Sequence, residues 1–199
     1  MHFINPAKSH QMSAHFGRAV PVGLRKFPLL FGKTLEGTTV TFPHCLEPAT
    51  APFHLVTLNF KNKHVWNART WNSVHSSLDI LSQHSPGAAP GMFFVWLFPL
   101  VHRLWAPVWR RRCKAWAREH GIAERNVISV YGDRDEITGE IGVHNDGRQY
   151  AFLLSNAGDV LFAADGRYNS NKHDFHIHKA IQTKSNQKAA EAQLLQAKG

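Results

Sequence analysis

The stretch PFHLVTLNFKNKHVWN, residues 52–67, decides how this chain is built. Leu55, Val56, Leu58 and Phe60 form an apolar run of strand length that stops abruptly at Lys61, Asn62 and Lys63, the pattern of a buried strand running into a loop. From Val65 to about Gln83, Val65, Trp66, Trp71, Val74, Leu78 and Leu81 recur at roughly helical spacing, so a helix packed on a sheet follows. Pro86, Gly87, Pro90 and Gly91 break that helix, and Met92 to Phe98 is again apolar. The apolar stretch Met92 to Val101 is interrupted by Pro99 and is half the length a membrane-spanning helix needs, about 20 residues, so it too reads as a buried strand.

Working outward, Val101 to about His120 is amphipathic. Leu104, Trp105, Val108, Trp109 and Trp116 fall on one face, and Arg103, Arg110, Arg111, Lys114 and Arg118 on the other. Arg112 interrupts the apolar stripe, and Pro107 starts a fresh helix or kinks this one. Val127 to Tyr131 reads as a short strand. Asp133 with Glu136 ahead of Ile137 and Ile141 has the spacing of an N-cap and capping box. Tyr150–Leu154 and Val160–Ala164 flank a loop containing Gly158 and make a hairpin. Asn171 to Gln182 can form a closing helix, and residues 183–199, rich in Lys, Gln and Ala, are a frayed extension of it or a mobile tail. At the other end, residues 27–47 alternate apolar positions around Gly32 and Gly37, which suits short strands and a turn. Gly32-Lys33-Thr34 is no phosphate-binding loop, because Phe27 stands where that motif requires its first glycine.

Composition bounds the function. With 43% hydrophobic residues, six Trp and thirteen Phe in 199, a folded core is expected, and the length suits one domain, residues 27–182, with tails. A net charge of +9 calls for an anionic counterpart: nucleic acid, an anionic membrane surface or an acidic protein. Residues 1–26 carry Lys8, Arg18, Arg25 and Lys26 and no acidic residue, the composition of a mitochondrial presequence and equally of a basic arm that touches an anionic surface. Cys45 and Cys113 are the only thiols, too few for a disulfide framework or a Cys-rich zinc site.

Phe93 to Gly166 contains Asp135-Glu136-Ile137, Ile141-Gly142, Asn145, Tyr150-Ala151-Phe152-Leu153-Leu154 and Ala163-Ala164-Asp165-Gly166, preceded by Phe27-Pro28, Gly32, Leu35 and Gly37. This order and spacing resembles the mitochondrial ATP synthase assembly factor family called ATPase complex subunit ten in fungi, within the thioredoxin-like superfamily. The resemblance implies an α/β, three-layer thioredoxin-like domain, a central mixed sheet with helices on both faces, carrying a basic helical insertion. It also implies a protein of the mitochondrial matrix, peripheral to the inner membrane, that helps the membrane-embedded proton-channel subunit a join the F-type ATP synthase. It brings no catalytic residues and no cofactor.

A thioredoxin-type reductase needs two thiols at the start of the first helix, where helix position and Cys-x-x-Cys spacing lower a thiol pKa. Here Asn62, Lys63, His64, Val65, Trp66 and Asn67 occupy that place, and Arg148-Gln149, rather than a proline, leads into the hairpin strand at Tyr150. The expectation is therefore a redox-inactive binding protein. Cys113 lies between Arg112 and Lys114, whose charges would favour thiolate, but an incidental thiol is the plainer reading. His173, Asp174, His176 and His178 could face one ion from a helix, although a His-rich helix is more commonly just solvated. The surface expected to meet a partner or membrane is the basic helix: Arg103, Trp105, Trp109, Arg110, Arg111, Lys114 and Arg118. A solvated face over a Trp-rich core is the competing reading, since cationic stems commonly flank buried aromatics. The same interleaving would suit RNA in a mitochondrial ribonucleoprotein such as the organellar ribosome, though no RNA-binding fingerprint is present.

Overall fold

The computed structural model describes residues 26–46, 53–61, 64–74, 91–143 and 145–196. The strand legible at residues 52–60 is β3 (Phe53–Asn59), the middle of a seven-stranded sheet. It pairs in parallel with β4 (Gly91–Pro99), which pairs in parallel with β5 (Val127–Gly132). These strands read as largely apolar runs because both faces are covered: Leu55, Phe94 and Trp96 enter one core, Val56, Val95 and Leu97 the other.

The two crossovers lie on one face. α1 (His64–Thr70) leads into a 3-10 turn, Trp71–Ser73, and α2 (Ala106–Glu119) joins β4 to β5. Ala68, Trp71 and Val74 from the first, and Cys113, Trp116 and Ala117 from the second, enter the same core. Right-handed connections between parallel strands that advance in one direction must share a face. The continuation of the first helix to Gln83 and its Pro/Gly break lie outside the described residues.

On the far side of β3 the expected hairpin is β6 (Tyr150–Ser155) and β7 (Val160–Asp165), antiparallel, with Gly158 at φ +77° in the connecting turn. α4 (Ser170–Gln196) closes the α1/α2 face through Ile177, Ala180 and Ile181. It runs on past Gln182, so residues 183–196 are helix rather than loose tail. α3 (Arg134–Ile141) covers the opposite face with Ile137 and Ile141. Asp133 caps it, accepting the Asp135 N–H at 2.9 Å, and Gly142 ends it at φ +69°.

The opening segment is a hairpin, β1 (Leu30–Thr34) and β2 (Thr39–Phe42), added antiparallel to β5 at one edge of the sheet. The sheet order is therefore β2-β1-β5-β4-β3-β6-β7, mixed and flanked by helices on both faces, as expected. The C-terminal ends of β3 and β4, the start of β6 and the beginnings of α1 and α2 all meet at one end of this sheet, where open α/β folds place their sites.

Candidate functional site

At that end, the place where a dithiol would sit is occupied by His64, which is 1% exposed. The turn from Phe60 positions it: the His64 N–H donates to the Lys61 carbonyl at 2.9 Å. The Phe60 N–H donates to Nδ1 at 3.1 Å, which makes Nδ1 an acceptor and leaves the ring proton on Nε2. Nε2 in turn lies 3.2 Å from the Gly147 carbonyl, which accepts that proton. Both ring nitrogens are thus committed to joining the end of β3 to the turn before β6. Around this contact Tyr150 donates its hydroxyl to the Asn145 carbonyl at 3.0 Å, and Lys61 pairs with Asp146 at 3.0 Å. Gln149, which precedes β6 where a redox site would have its proline, is fully buried. Sequence reading missed His64 as a structural tie. The only signal available was a His four residues after the last strand aromatic, which does not distinguish a tie from a solvated loop residue.

The amphipathic stretch is two elements, a 3-10 turn at Leu100–Trp105 and α2, with Pro107 in the first turn of the helix. Its seven candidate residues separate into two groups. Trp109 is half-buried and packs edge-on to Trp96 and Phe98, at ring distances of 5.2 and 4.8 Å, so it belongs to the core. Arg110 turns toward the sheet, donating Nε to the Leu35 carbonyl and Nη2 to the Thr34 carbonyl, both at 3.2 Å. A Cβ on Gly37, at φ +104°, would stand 2.8 Å from that Nη2, so the glycine leaves room for the guanidinium as well as making the turn. Lys114 and Arg118 both pair with Glu124, at 2.8 and 3.2 Å. Their hydrogen bonds and charge, Lys114 first, hold the Glu124 carboxyl below its ordinary range.

Arg103, Trp105 and Arg111 remain open to solvent, as does Arg112, and among the described residues none of these three arginines makes an ion pair or hydrogen bond. Beside them the apolar stripe is partly outside: Leu104 is 84% exposed and Trp105 68%, and Leu100, Val101 and Val108 are also more than half exposed. The apolar face of the segment is buried only from Trp109 onward; the 3-10 turn Leu100–Trp105 follows β4 at the end of the sheet with its large apolar side chains in solvent.

The remaining candidates are accounted for by packing. Cys113 is buried on the core-facing side of α2, and desolvation pushes its thiol up to about 12, the opposite of the thiolate its cationic neighbours in sequence suggest. Half-buried Cys45 is also raised by burial. His173 is buried rather than solvated: it stacks on Trp71 at 5.1 Å, accepts the Asn169 N–H on Nδ1 at 3.0 Å, and is pushed down from its ordinary pKa chiefly by burial. No group of three or more His, Cys, Asp or Glu arranged for a metal ion occurs among the described residues.

The fold is thioredoxin-like. Among solved structures, BsSco, a member of the Sco family of cytochrome c oxidase assembly proteins studied for its disulfide switch, superposes with a TM-score of 0.53 at 13% identity, over 83% of this chain and 96% of its own. A thioredoxin-family thiol:disulfide interchange protein from Chlorobium tepidum TLS gives 0.46 at 14% identity, over 81% and 99%. A thiol:disulfide interchange protein from Bacteroides sp. gives 0.45 at 11%, over 77% and 85%. Identities this low speak to fold alone. No protein-family model and no curated protein matches the chain.

Proposed function

We propose that this protein is a non-catalytic assembly factor that holds a partner at the C-terminal end of its sheet. The observation that carries this reading is the contrast at that end. His64, tied through both ring nitrogens, fills the position of the reactive thiol, while a large apolar and cationic surface on the Leu100–Arg112 segment stays uncovered. A surface of that kind marks an interaction site. The partner comes from the resemblance to the ATPase complex subunit ten family: the membrane-embedded proton-channel subunit a of the mitochondrial F-type ATP synthase, met at the matrix side of the inner membrane. RNA as the partner is disfavoured by the aliphatic character of Leu100, Val101, Leu104 and Val108, which offer a nucleic acid neither charge nor a stacking plane.

Depleting the protein and resolving mitochondrial complexes on a blue-native gel tests the reading. The expected result is loss of assembled ATP synthase, restored equally by the wild-type chain and by the Cys45→Ser/Cys113→Ser variant. An intact ATP synthase band sinks the assembly role, and rescue by wild type alone sinks the claim that no thiol is used.

A further inference from the structure

We infer that the Leu100–Arg112 segment docks directly on an anionic lipid bilayer, with Leu104 and Trp105 as the inserted wedge and Arg103, Arg111 and Arg112 on the headgroup phosphates. This deepens the reading given above by naming what the same surface meets, but it rests on geometry that holds whichever complex the protein serves.

The arrangement along the segment is graded. Leu100, Val101, Leu104, Trp105 and Val108 are all more than half exposed, five large apolar side chains within two and a half turns of chain, where a soluble surface scatters such residues singly. Phe31 on β1 is also exposed, at 70%. It lies one step past the Gly32↔Val130 pair, on the sheet face that α2 covers, and at the same end of the sheet. From the 3-10 turn into α2 the spacing then runs from Leu104 and Trp105 to Val108 and on to Arg111 and Arg112, with the last three residues sharing one face of the helix. Arg111 and Arg112 therefore follow the apolar turn by about two helical turns, roughly 10 Å along the axis, so that with this end of the segment directed into the bilayer Leu104 and Trp105 lie deeper than those two guanidinium groups.

Charge chooses the occupant. From Ile80 to Arg118 the sequence has no acidic residue, and the cations that could have been neutralised at home already are: Arg110 on two carbonyls, Lys114 and Arg118 on Glu124. The three left over all flank the apolar patch. A second copy of this chain would bring three more unpaired arginines against them, and a neutral bilayer would leave them without counter-charge. An anionic bilayer offers a low-polarity interior for Leu104 and Trp105 and a phosphate layer for the arginines at once. A tryptophan at this boundary is in its preferred place, with its ring body in the apolar zone and its N–H toward water.

Flotation of the full-length protein with vesicles tests this, using phosphatidylcholine alone and phosphatidylcholine mixed with phosphatidylglycerol. The protein is expected to float with the mixed vesicles and remain behind with the neutral ones, with a blue shift of tryptophan emission that the Trp105→Phe variant lacks. Replacing Arg103, Arg111 and Arg112 together by Ala should weaken binding about a hundredfold, roughly fivefold for each arginine, and Leu104→Ser with Trp105→Ser should abolish the insertion signal. Circular dichroism and thermal melts of both variants should match wild type, since every altered side chain is exposed. The inference fails if the protein ignores both vesicle types, floats equally with both, or floats undiminished after either set of substitutions. Self-association through the patch, or retention of RNA lost with the same arginines, would also overturn it. Vesicle binding with an intact ATP synthase band on depletion leaves this inference standing and removes the assembly role. The reverse pair of results removes only the lipid contact.

Discussion

Trp105 and Trp116 occupy one continuous segment between β4 and β5, yet the molecule uses them in opposite ways. Trp116 is 9% exposed and packs edge-on to Phe94 and Trp96, whereas Trp105 is 68% exposed at the end of the sheet. The difference is in what lies underneath. From Trp109 onward the inward side of α2 packs on the sheet, and Arg110, Lys114 and Arg118 are held by Thr34, Leu35 and Glu124; the 3-10 turn before it lies at the end of the sheet, and Arg103 there, like Arg111 and Arg112 on the outward side of α2, is open to solvent. A single amphipathic stripe thus serves as core at one end and as contact surface at the other, with the changeover near Val108.

The comparison predicts very unequal mutational costs. The largest belongs to Trp116→Ala, which empties a site against Phe94 and Trp96 and should destabilise the protein by about 3–5 kcal/mol in denaturant unfolding. A loss under 1 kcal/mol would mean that α2 is held by something other than its aromatic face. Arg110→Ala should come next, at about 1–2 kcal/mol, because the Thr34 and Leu35 carbonyls lose charged donors. Lysine should recover only part of that, since a single ammonium cannot reproduce the two-pronged guanidinium contact. Equal stability of Arg110→Ala and wild type would return Arg110 to the exposed, docking group.

A smaller effect is expected in acid. Lys114 and Arg118 hold the Glu124 carboxyl below its ordinary pKa in the folded protein, so the unfolded chain binds a proton there first as pH falls. The stabilisation is complete above the unfolded value, about 4.3, and disappears as pH drops through the lower folded one. Melting temperature followed from pH 6 to pH 3 should fall less steeply in Glu124→Gln than in wild type. Parallel curves would show that these ion pairs do not secure the end of α2.

What the sequence disclosed, and what it hid, follows the same division. Strands buried on both faces announce themselves as apolar runs, so β3, β4, β6 and β7 were legible, as were the Asp133 cap and the hairpin at Gly158, which depend on local chemistry. Arg110 was not legible, because its partners Thr34 and Leu35 are brought to it only by the pairing of β1 with β5, and periodicity places an arginine on a face without saying what faces it. Trp105 was expected on the contact surface together with Trp109, but nothing local separates it from that packed neighbour. Its spacing satisfies the apolar stripe, and only the position of the sheet's end reveals that the stripe outruns its support. The filled thiol position was legible as missing cysteines, but the role of His64 needed the Gly147 carbonyl, distant in sequence.

The smallest predicted effect is the sharpest test of the comparison. Leu104→Ser with Trp105→Ser removes more apolar surface than Trp116→Ala does, and if hydrophobic spacing alone determined burial it would cost as much or more. Because both side chains already face water in the folded state, folding removes little of their area from solvent, and truncating them should change unfolding free energy by less than about 0.5 kcal/mol. Denaturant unfolding of the double variant beside Trp116→Ala, under identical conditions, measures the contrast directly. A loss of 2 kcal/mol or more would place Leu104 and Trp105 inside a packed core and dissolve the distinction between the anchored and the open parts of the segment.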